Sequence, residues 1–188
     1  MNLKAPLWVI FSGIWRYLGW NMTELTAGEL RMLAVVQENH VTNVELAERL
    51  GMAPSPCLRR MKALKDQGYI ERTVSILDRR KLGFEILAQV EIKVMQIPGR
   101  AVDEEFRRAV AREAPVISCY VVSGWADFVL KVVAPSMEEY SRYARTVLVR
   151  MPGVQDMRSS FVLESVKDST ALPLESLHRQ SKGNTRQR

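Results

Sequence analysis

Residues that build metal centres and disulfide frameworks are scarce in this chain. Its 188 residues include two cysteines, Cys57 and Cys119, and two histidines, His40 and His178, none with metal-ligand spacing. Zinc sites and disulfide frameworks need clustered Cys or His, so we expect neither, and two isolated cysteines fit buried small side chains in a reducing cytoplasm. The sequence also lacks a recognisable nucleophile–base pair or phosphate-cradling loop. We therefore predict that the protein is not an enzyme and has no cofactor.

Long hydrophobic runs are also missing. The apolar run at residues 7–15 covers nine residues, whereas a membrane-spanning helix needs about 20, so we predict no membrane partner. Lys4 before this run is typical of a signal peptide, but no small-x-small cleavage site follows it. Three alternatives stay open for residues 1–22: a mis-assigned translational start, a genuine extension that packs on a partner, and a signal or membrane anchor.

Positive charge is what the chain has in excess. The formal net charge is +6, and 47% of the residues are apolar, as is usual for a globular protein. Residues 55–81 hold eight basic and three acidic side chains. Such a concentration of positive charge indicates a surface that binds a polyanion.

Capping signals predict a group of short helices before residue 70. Thr26 and Glu29 have the spacing of a capping box at the start of a first helix. Thr42 and Glu45 repeat that spacing at the start of a second helix. Gly51 follows it at the C′ position, where glycine ends helices.

A third helix carries the basic residues of this region. Ser55 is its predicted N-cap and Pro56 its first helical residue. The spacing i, i+4, i+7 predicts a buried stripe of Cys57, Met61 and Leu64. The candidates for DNA contact are Ser55, Leu58, Arg59, Arg60, Lys62 and Lys65. A solvated charged face is the alternative, but a basic helix directly after a capped turn is the helix-turn-helix arrangement that fills a DNA major groove. We predict a DNA-binding domain at 23–70 and a wing and linker at 71–83.

Beyond residue 83 the hydrophobic period changes from that of helices to that of strands. We predict strands at 88–94, 116–122, 127–133 and 154–166. Two amphipathic helices are predicted, one opening near Val102 and one capped by Ser136 and Glu139 with Met137 facing inward. The order βαββαβ predicts a ferredoxin-like domain at 84–174. The fold class is α+β, with a winged helix-turn-helix domain first.

Self-association follows from the same pattern. The predicted strands at 116–122 and 127–133 are apolar on both faces, whereas the two helices cover only one face of the sheet. The other face needs a partner, and a second copy of the same sheet is the simplest. We predict at least a dimer, followed by a basic tail at 175–188 whose polar composition is typical of disorder.

Two blocks in this order resemble the leucine-responsive/asparagine-responsive (Lrp/AsnC) family of transcriptional regulators. They are NVELAERLGMAPSPCLRRMKALKDQGYI and, downstream, VSGWADFVLKV with RMPGV. The resemblance covers roughly residues 25–174 and departs from the usual family pattern at Ala53-Pro54, Leu58 and Thr26-Ala27-Gly28. It implies double-stranded DNA as partner, dimers that assemble further into tetramers or octamers, and an amino-acid effector bound between dimers.

By the same resemblance, the effector site lies at the loop between the second and third strands, where the family's G-x-x-D pattern falls on Gly124 and Asp127. The candidate effector-binding residues are Ser123, Gly124, Trp125, Asp127, Ser159 and Ser160, the last two from an adjoining subunit. A carboxylate at Asp127 can accept from a ligand ammonium, while loop N–H groups near Gly124 bind the ligand carboxylate. The alternatives are a local backbone bond for Asp127 and a subunit contact for Trp125.

The function predicted from these features is sequence-specific transcriptional regulation, modulated by a small amino-acid-like effector at the oligomer interface, in the cytoplasm. The alternative is an architectural protein that wraps DNA without a ligand, which the basic linker and tail would permit. An enzyme on a ferredoxin-like fold is a third reading, and it lacks identifiable catalytic groups.

Overall fold

The computed structural model describes residues 25–38, 41–95 and 101–174. The described residues fall into two compact units, a helical unit up to Thr73 that also takes in the segment from Ser169, and a sheet unit, Val74–Asp168. Most of the predicted linker at 71–83 therefore belongs to the sheet unit, and residues 169–174 belong to the helical unit. The predictions for residues 1–22 and for the tail at 175–188 lie outside the described residues, and so do His40 and His178.

Three helices form the helical unit: α1 (Ala27–Glu38), α2 (Asn43–Leu50) and α3 (Pro54–Asp66). The backbone N–H of Thr26 donates to Glu29 Oε2 at 2.7 Å, and the N–H of Glu29 donates to Thr26 Oγ1 at 3.3 Å. Thr42 and Glu45 form the same reciprocal capping box at α2. Gly51 then ends α2 with φ +63°. Both predicted capping boxes and the glycine C-cap are confirmed.

The start of α3 differs from the prediction. Ala53 is the N-cap and makes no side-chain hydrogen bond, Pro54 is the first helical residue, and Ser55 and Pro56 lie in the first turn. The assignment of Ser55 as N-cap is therefore wrong by two residues. The N–H groups in the first turn of a helix have no partner within the helix, so a proline there costs no hydrogen bond. Pro54 and Pro56 both suit this turn, and the helix begins at Pro54.

The core of the helical unit contains the predicted stripe of α3. Cys57, Met61 and Leu64 are all buried, as predicted. They pack with buried residues of the other two helices, namely Met32, Leu46 and Ala47. This packing directs the opposite side of α3 toward solvent.

The sheet unit follows the predicted order βαββαβ. Its elements are β1 (Ile86–Val94), α4 (Val102–Val110), β2 (Val116–Val121), β3 (Phe128–Ala134), α5 (Met137–Thr146), a 3-10 turn (Leu148–Arg150) and β4 (Val154–Phe161). The strands form one sheet in the order β2-β3-β1-β4, and every neighbouring pair is antiparallel. This is the ferredoxin-like arrangement that the sequence predicts.

Alternate residues of the central strands form the core under the helices. The inward residues of β1 and β3 are buried: Ala88, Val90, Ile92, Val94, Phe128, Leu130, Val132 and Ala134. Phe106 of α4 packs on Phe128, with ring centroids 4.6 Å apart, and Tyr140 of α5 joins the same cluster. Both helices therefore cover the same face of the sheet.

The opposite face, here called the outer face, is mixed rather than apolar. On β3, Lys131 stands between Val129 and Val133, and on β1 the outward residues include Gln89 and Lys93. The prediction that the central strands are apolar on both faces is therefore wrong for β3. Lys131 interrupts the apolar pattern because its long side chain can reach water from an uncovered face.

Three smaller predictions also need correction. β4 ends at Phe161 instead of residue 166, since its pairing with β1 stops at Ala88↔Phe161. Met137 is 48% exposed instead of inward, because it opens α5 before that helix reaches the core. Cys119 is exposed, whereas Cys57 is buried as predicted, because Cys119 lies on the edge strand β2.

The linker before β1 contains a hydrogen-bonded turn and, across the described residues 67–85, no strand. Asp78 Oδ1 accepts from the backbone N–H groups of Arg80 and Lys81. Arg79 Nη1 donates to the carbonyl oxygens of Phe84 at 2.7 Å and of Glu85 at 2.8 Å. The segment predicted as a wing is therefore a stretch without regular secondary structure, followed by a turn that Arg79 connects to the start of β1.

Candidate DNA-binding and effector-binding sites

The solvent side of α3 brings together five of the six predicted DNA-contact residues. At about 100° of helix rotation per residue, they fall within an arc of about 120°. These residues are Ser55, Leu58, Arg59, Lys62 and Lys65, and all five are exposed. The arc is opposite the buried stripe, combines three positive charges with a hydroxyl, and includes a large apolar side chain, Leu58, that is 51% exposed. Such a set can contact phosphates, base edges and thymine methyl groups in a major groove.

Arg60 lies apart from this arc, on the side of α3 that faces α1. Its Nη1 is 3.6 Å from the position that a Cβ on Gly28 would occupy. The pKa of Glu29 is lowered, first by the side-chain hydrogen bond from Thr26, with a smaller contribution from the positive charge of Arg60. Arg60 is therefore next to the start of α1 and near an acidic side chain, a position that suits contact with a flanking phosphate rather than a base.

The loop between β2 and β3 contains four of the predicted effector-binding residues. The N–H of Val122 donates to the carbonyl oxygen of Asp127 at 3.0 Å and closes the loop. Gly124 has φ +131°, a backbone conformation that side chains other than glycine rarely adopt. Among the residues that the structure describes, no heavy atom lies within 4 Å of the position that a Cβ on Gly124 would take, so these residues leave open space beside the loop backbone.

Asp127 connects this loop to β1. Its N–H donates to the carbonyl oxygen of Ile92 at 3.0 Å, and its Oδ2 accepts from the N–H of Val94 at 2.8 Å. The pairing of β1 with β4 shifts register between Lys93 and Val94, so the carboxylate binds a backbone N–H at an irregular point of the strand. This hydrogen bond fits the alternative in which Asp127 binds local backbone. The other carboxylate oxygen, Oδ1, can also accept hydrogen bonds.

Trp125 extends from the loop over the outer face. The guanidinium carbon of Arg158 is 3.6 Å from its ring centroid, and Lys93 Nζ is 5.9 Å away. Cation–π contacts of this kind hold an indole in place. Sequence reasoning missed Arg158 and Lys93 because they meet Trp125 only through the pairing of β1 with β4, for which no motif is visible in the sequence.

The two serines of β4 lie on opposite faces of the sheet. Ser159 Oγ accepts from the hydroxyl of Tyr140 at 2.5 Å, on the face that the helices cover. Ser160 is exposed and pairs with Gln89 on the outer face. Within one chain, the structure therefore brings Ser123, Gly124, Trp125 and Asp127 together and leaves Ser159 and Ser160 apart from them.

A groove of about 1180 Å³ lies elsewhere in the sheet unit. The linker, the start of β2, the end of β3, α5 and the stretch after β4 contribute to its walls. Its apolar lining includes Ile76, Leu77, Leu82 and Leu163. Ile76 is 78% and Leu163 90% exposed, which is unusual for large apolar side chains so close together.

Neither a metal site nor a membrane span is visible in the described part of the chain. No group of three or more His, Cys, Asp or Glu side chains there could hold a metal ion. No helix in the same residues is both long and apolar enough to cross a bilayer.

Comparison with known families assigns each unit. The family model described as "Lrp/AsnC ligand binding domain" matches residues 87–172, and the one described as "Winged helix-turn-helix DNA-binding" matches residues 29–71. The chain is 36% identical over 136 residues to the leucine-responsive regulatory protein of Escherichia coli K12, a match that covers 72% of this chain and 82% of that protein.

Solved structures agree with these assignments. A transcriptional regulator from Neisseria meningitidis, solved as its L-Met complex, is similar with a TM-score of 0.78 and 34% identity, covering 81% of this chain and 99% of that one. An AsnC family transcriptional regulator from Agrobacterium tumefaciens is similar with a TM-score of 0.75 and 26% identity, with the same coverage.

Proposed function

We propose, from the premise that the chain belongs to the Lrp/AsnC family of transcriptional regulators, that a small amino-acid effector controls its sequence-specific binding to DNA. DNA binding and a ligand-binding domain follow from the family. The effector, the residues that contact each ligand and the assembly are the proposal. A non-enzymatic role in the cytoplasm, without a cofactor, completes it.

The exposed arc of α3 is the observation that supports DNA readout. Buried Cys57, Met61 and Leu64 fix which side of α3 faces solvent, and that side carries Arg59 and Lys62. We assign Arg59 to a base edge and Lys62 to a phosphate, since a helix-turn-helix places the N-terminal half of its second helix against the bases.

Fluorescence anisotropy with a selected operator tests this assignment. Arg59→Ala should weaken operator binding by about 1–3 kcal/mol and relax preference at one base pair. Lys62→Ala should weaken binding to operator and random DNA alike. Arg145→Ala removes an exposed arginine from α5 and serves as the matched control. Wild-type affinity in both α3 variants would refute the assignment, and equal wild-type affinity for operator and random DNA would favour an architectural role instead.

The loop at residues 123–127 is the proposed effector site. Open space beside Gly124 and the second carboxylate oxygen of Asp127 suit an amino acid, whose carboxylate and ammonium need N–H donors and an acceptor. The similar Neisseria protein was solved with L-Met, which makes methionine the first ligand to titrate among the twenty amino acids.

Asp127→Asn separates the two roles of this residue. The amide oxygen can still accept from the N–H of Val94, so unfolding free energy should fall by no more than about 1–2 kcal/mol. The charge that pairs with an ammonium is lost, so calorimetric affinity for the effector should fall at least tenfold. Asp127→Ala removes both interactions. The absence of binding heat from all twenty amino acids with the wild-type protein would contradict the effector proposal.

A second copy of the chain is the proposed cover for the groove, and a dimer the smallest assembly. Exposed Ile76 and Leu82 lie in the groove wall, and water contact at such side chains costs free energy that association recovers. Ile76→Asp with Leu82→Asp should shift sedimentation velocity toward the monomer. Val149→Asp, an exposed apolar residue outside the groove, should leave the assembly intact. An unchanged assembly in the groove variant would refute this interface.

A further inference from the structure

Leu58 is an apolar side chain within the basic surface that α3 presents to solvent. It is 51% exposed, whereas the buried stripe of the same helix, Cys57, Met61 and Leu64, is at most 8% exposed. Among the residues that the structure describes, the apolar side chains that pack in the core of the helical unit do not include Leu58. Core packing therefore does not explain a leucine at this position.

The neighbours of Leu58 on the helix surface are polar or positively charged. Residues three and four apart in sequence are neighbours on a helix, so Leu58 lies between Ser55 on one side and Lys62 on the other. Both of these side chains are exposed. Lys65, also exposed, follows about 20° from Leu58 around the helix axis, at 100° per residue. The leucine is thus bordered by a hydroxyl and two ammonium groups.

This surrounding charge limits what can cover Leu58. An isolated exposed leucine is ordinary on a protein surface, but a partner for this one must accommodate several adjacent positive charges. A second copy that docked through the same side of α3 would bring its own basic side chains against them, and like charges repel.

A polyanion that carries an apolar group fits both features of this surface. Duplex DNA is such a polyanion. In its major groove, the C5-methyl of thymine is the methyl group that the base edges present. The charge around Leu58 therefore favours DNA as its partner, and its apolar side chain favours the thymine methyl as the group that it contacts.

Leu58 also lies in the part of α3 that a helix-turn-helix directs at base edges. The recognition helix contacts bases through its N-terminal residues, and Leu58 is the fifth residue of α3, which begins at Pro54. Arg59, assigned to a base edge, is the next residue. One residue advances about 1.5 Å along a helix, less than the rise of about 3.4 Å per base pair. The two side chains can therefore reach the same or neighbouring base pairs.

We propose that Leu58 is a specificity-determining residue, which contacts the C5-methyl group of a thymine at or beside the base pair that Arg59 reads. The proposal rests on the proposed DNA-binding role of α3 and names a chemical group that this helix selects. Arg59 and Lys62 supply hydrogen bonds and charge, whereas Leu58 adds a preference for a base that carries a methyl group. Cytosine lacks that methyl, so the contact favours thymine over cytosine at this position.

Deoxyuridine in place of thymidine tests this contact, because it removes the methyl group and keeps every hydrogen-bonding group of the base. A duplex selected by the wild-type protein from random sequence is resynthesised with one thymidine replaced at a time. Fluorescence anisotropy then measures the affinity of each duplex. Burying one methyl group is worth a factor of about four in affinity, so replacing the contacted thymidine should weaken wild-type binding about fourfold.

Variants of Leu58 assign the lost affinity to this side chain. Leu58→Ala should bind the thymidine and deoxyuridine duplexes with affinities that differ by less than about 1.5-fold, because alanine no longer reaches the methyl group. Leu58→Met keeps an apolar side chain of similar volume and should retain most of the difference. The matched control is Val149→Ala, which shortens a similarly exposed apolar side chain of the sheet unit and should retain all of it.

Two results would overturn the proposal. One is a selected duplex in which every thymidine can be replaced with a change in wild-type affinity below about 1.5-fold. The other is a deoxyuridine penalty that persists in Leu58→Ala; a concurrent shift in sedimentation velocity would assign Leu58 to a contact between protein chains. Equal wild-type affinity for selected and random duplexes would instead overturn the proposed function together with this inference.

Discussion

Gly153, in the turn before β4, is the position where the structure makes the sharpest stability prediction. Its φ is +73°, a left-handed conformation that costs other residues about 1–2 kcal/mol. A Cβ there would lie 2.0 Å from Val102 Cγ1 and 2.9 Å from Val94 Cγ1. Both valines are buried in the core of the sheet unit, so neither can turn toward solvent to make room.

The expected effect of Gly153→Ala combines these two costs. Inserting a methyl group into a well-packed core costs about 1–3 kcal/mol, because surrounding side chains leave their preferred rotamers or the backbone shifts. Added to the conformational cost, the loss of unfolding free energy should be about 2–5 kcal/mol. Urea unfolding followed by far-UV circular dichroism measures it.

Gly83→Ala is the matched control for this substitution. Gly83 has φ +87° and lies in the same unit, and no heavy atom of the described residues is within 4 Å of the position that its Cβ would take. Its replacement should therefore cost only the conformational term, about 1–2 kcal/mol. The steric argument would be refuted if Gly153→Ala and Gly83→Ala lowered the free energy of unfolding by amounts that differ by less than about 0.5 kcal/mol, roughly the experimental error.

A second background checks the cause directly. Val102→Ala removes Cγ1, the atom in closest conflict with a Cβ on residue 153. In that background Gly153→Ala should cost at least about 1 kcal/mol less than in the wild type, since interacting sites are not additive. Additive losses would point to backbone strain alone.

Three further predictions concern single side chains. The hydrogen bond from Thr26 lowers the folded pKa of Glu29. Glu29→Gln should therefore reduce the free energy of unfolding by its full amount above the usual pKa of glutamate, about 4.3. The difference from the wild type should vanish as pH falls through the folded pKa. Arg79→Ala removes two hydrogen bonds to the backbone at the linker turn. Cleavage of the linker by chymotrypsin should rise roughly fivefold, which corresponds to about 1 kcal/mol in the free energy of local opening. Arg79→Lys should not restore protection from cleavage, whereas Arg80→Ala should retain it. Under native conditions a thiol reagent should label exposed Cys119 and spare buried Cys57. Although the Cys119 side chain reaches solvent, partial desolvation raises its pKa, so its labelling rate should level off at a higher pH than that of a free cysteine. Labelling of both thiols at one rate would contradict the exposures.

The helical unit was predictable because its signals are local. A capping box is complete within four residues, and the buried stripe Cys57, Met61 and Leu64 needs only the helical period. The start of α3 was missed for an equally local reason: Pro54 and Pro56 both suit a first turn, and the sequence does not say which begins it. Serine at position 55 looked like a cap, but the helix starts one residue before it.

The sheet was predictable in order and less so in detail. Alternation along β1 identified its buried residues, yet the end of β4 depends on where its partner β1 stops pairing. The contact of Arg158 with Trp125 depends on the same register and on the path of the loop. Such relations between distant residues leave no periodic trace in one sequence, which is why the contacts of Arg158 and Lys93 with Trp125 became visible only in the structure.

Trp125 also connects the proposed effector loop to the outer face of the sheet. The same five-residue loop holds Gly124, where an effector would approach, and Trp125, whose ring lies on Arg158 of β4. Asp127 holds the loop to β1 next to Lys93, the second cation beside the ring. We therefore expect that an effector bound at Asp127 or at the loop backbone would change how Trp125 lies on the outer face. If the loop binds the proposed effector and the outer face contacts a second copy, the two events would be coupled through this side chain. Trp125→Ala should then reduce the effector-induced change in sedimentation coefficient while calorimetric affinity for the effector is kept, and an unreduced change would contradict the coupling.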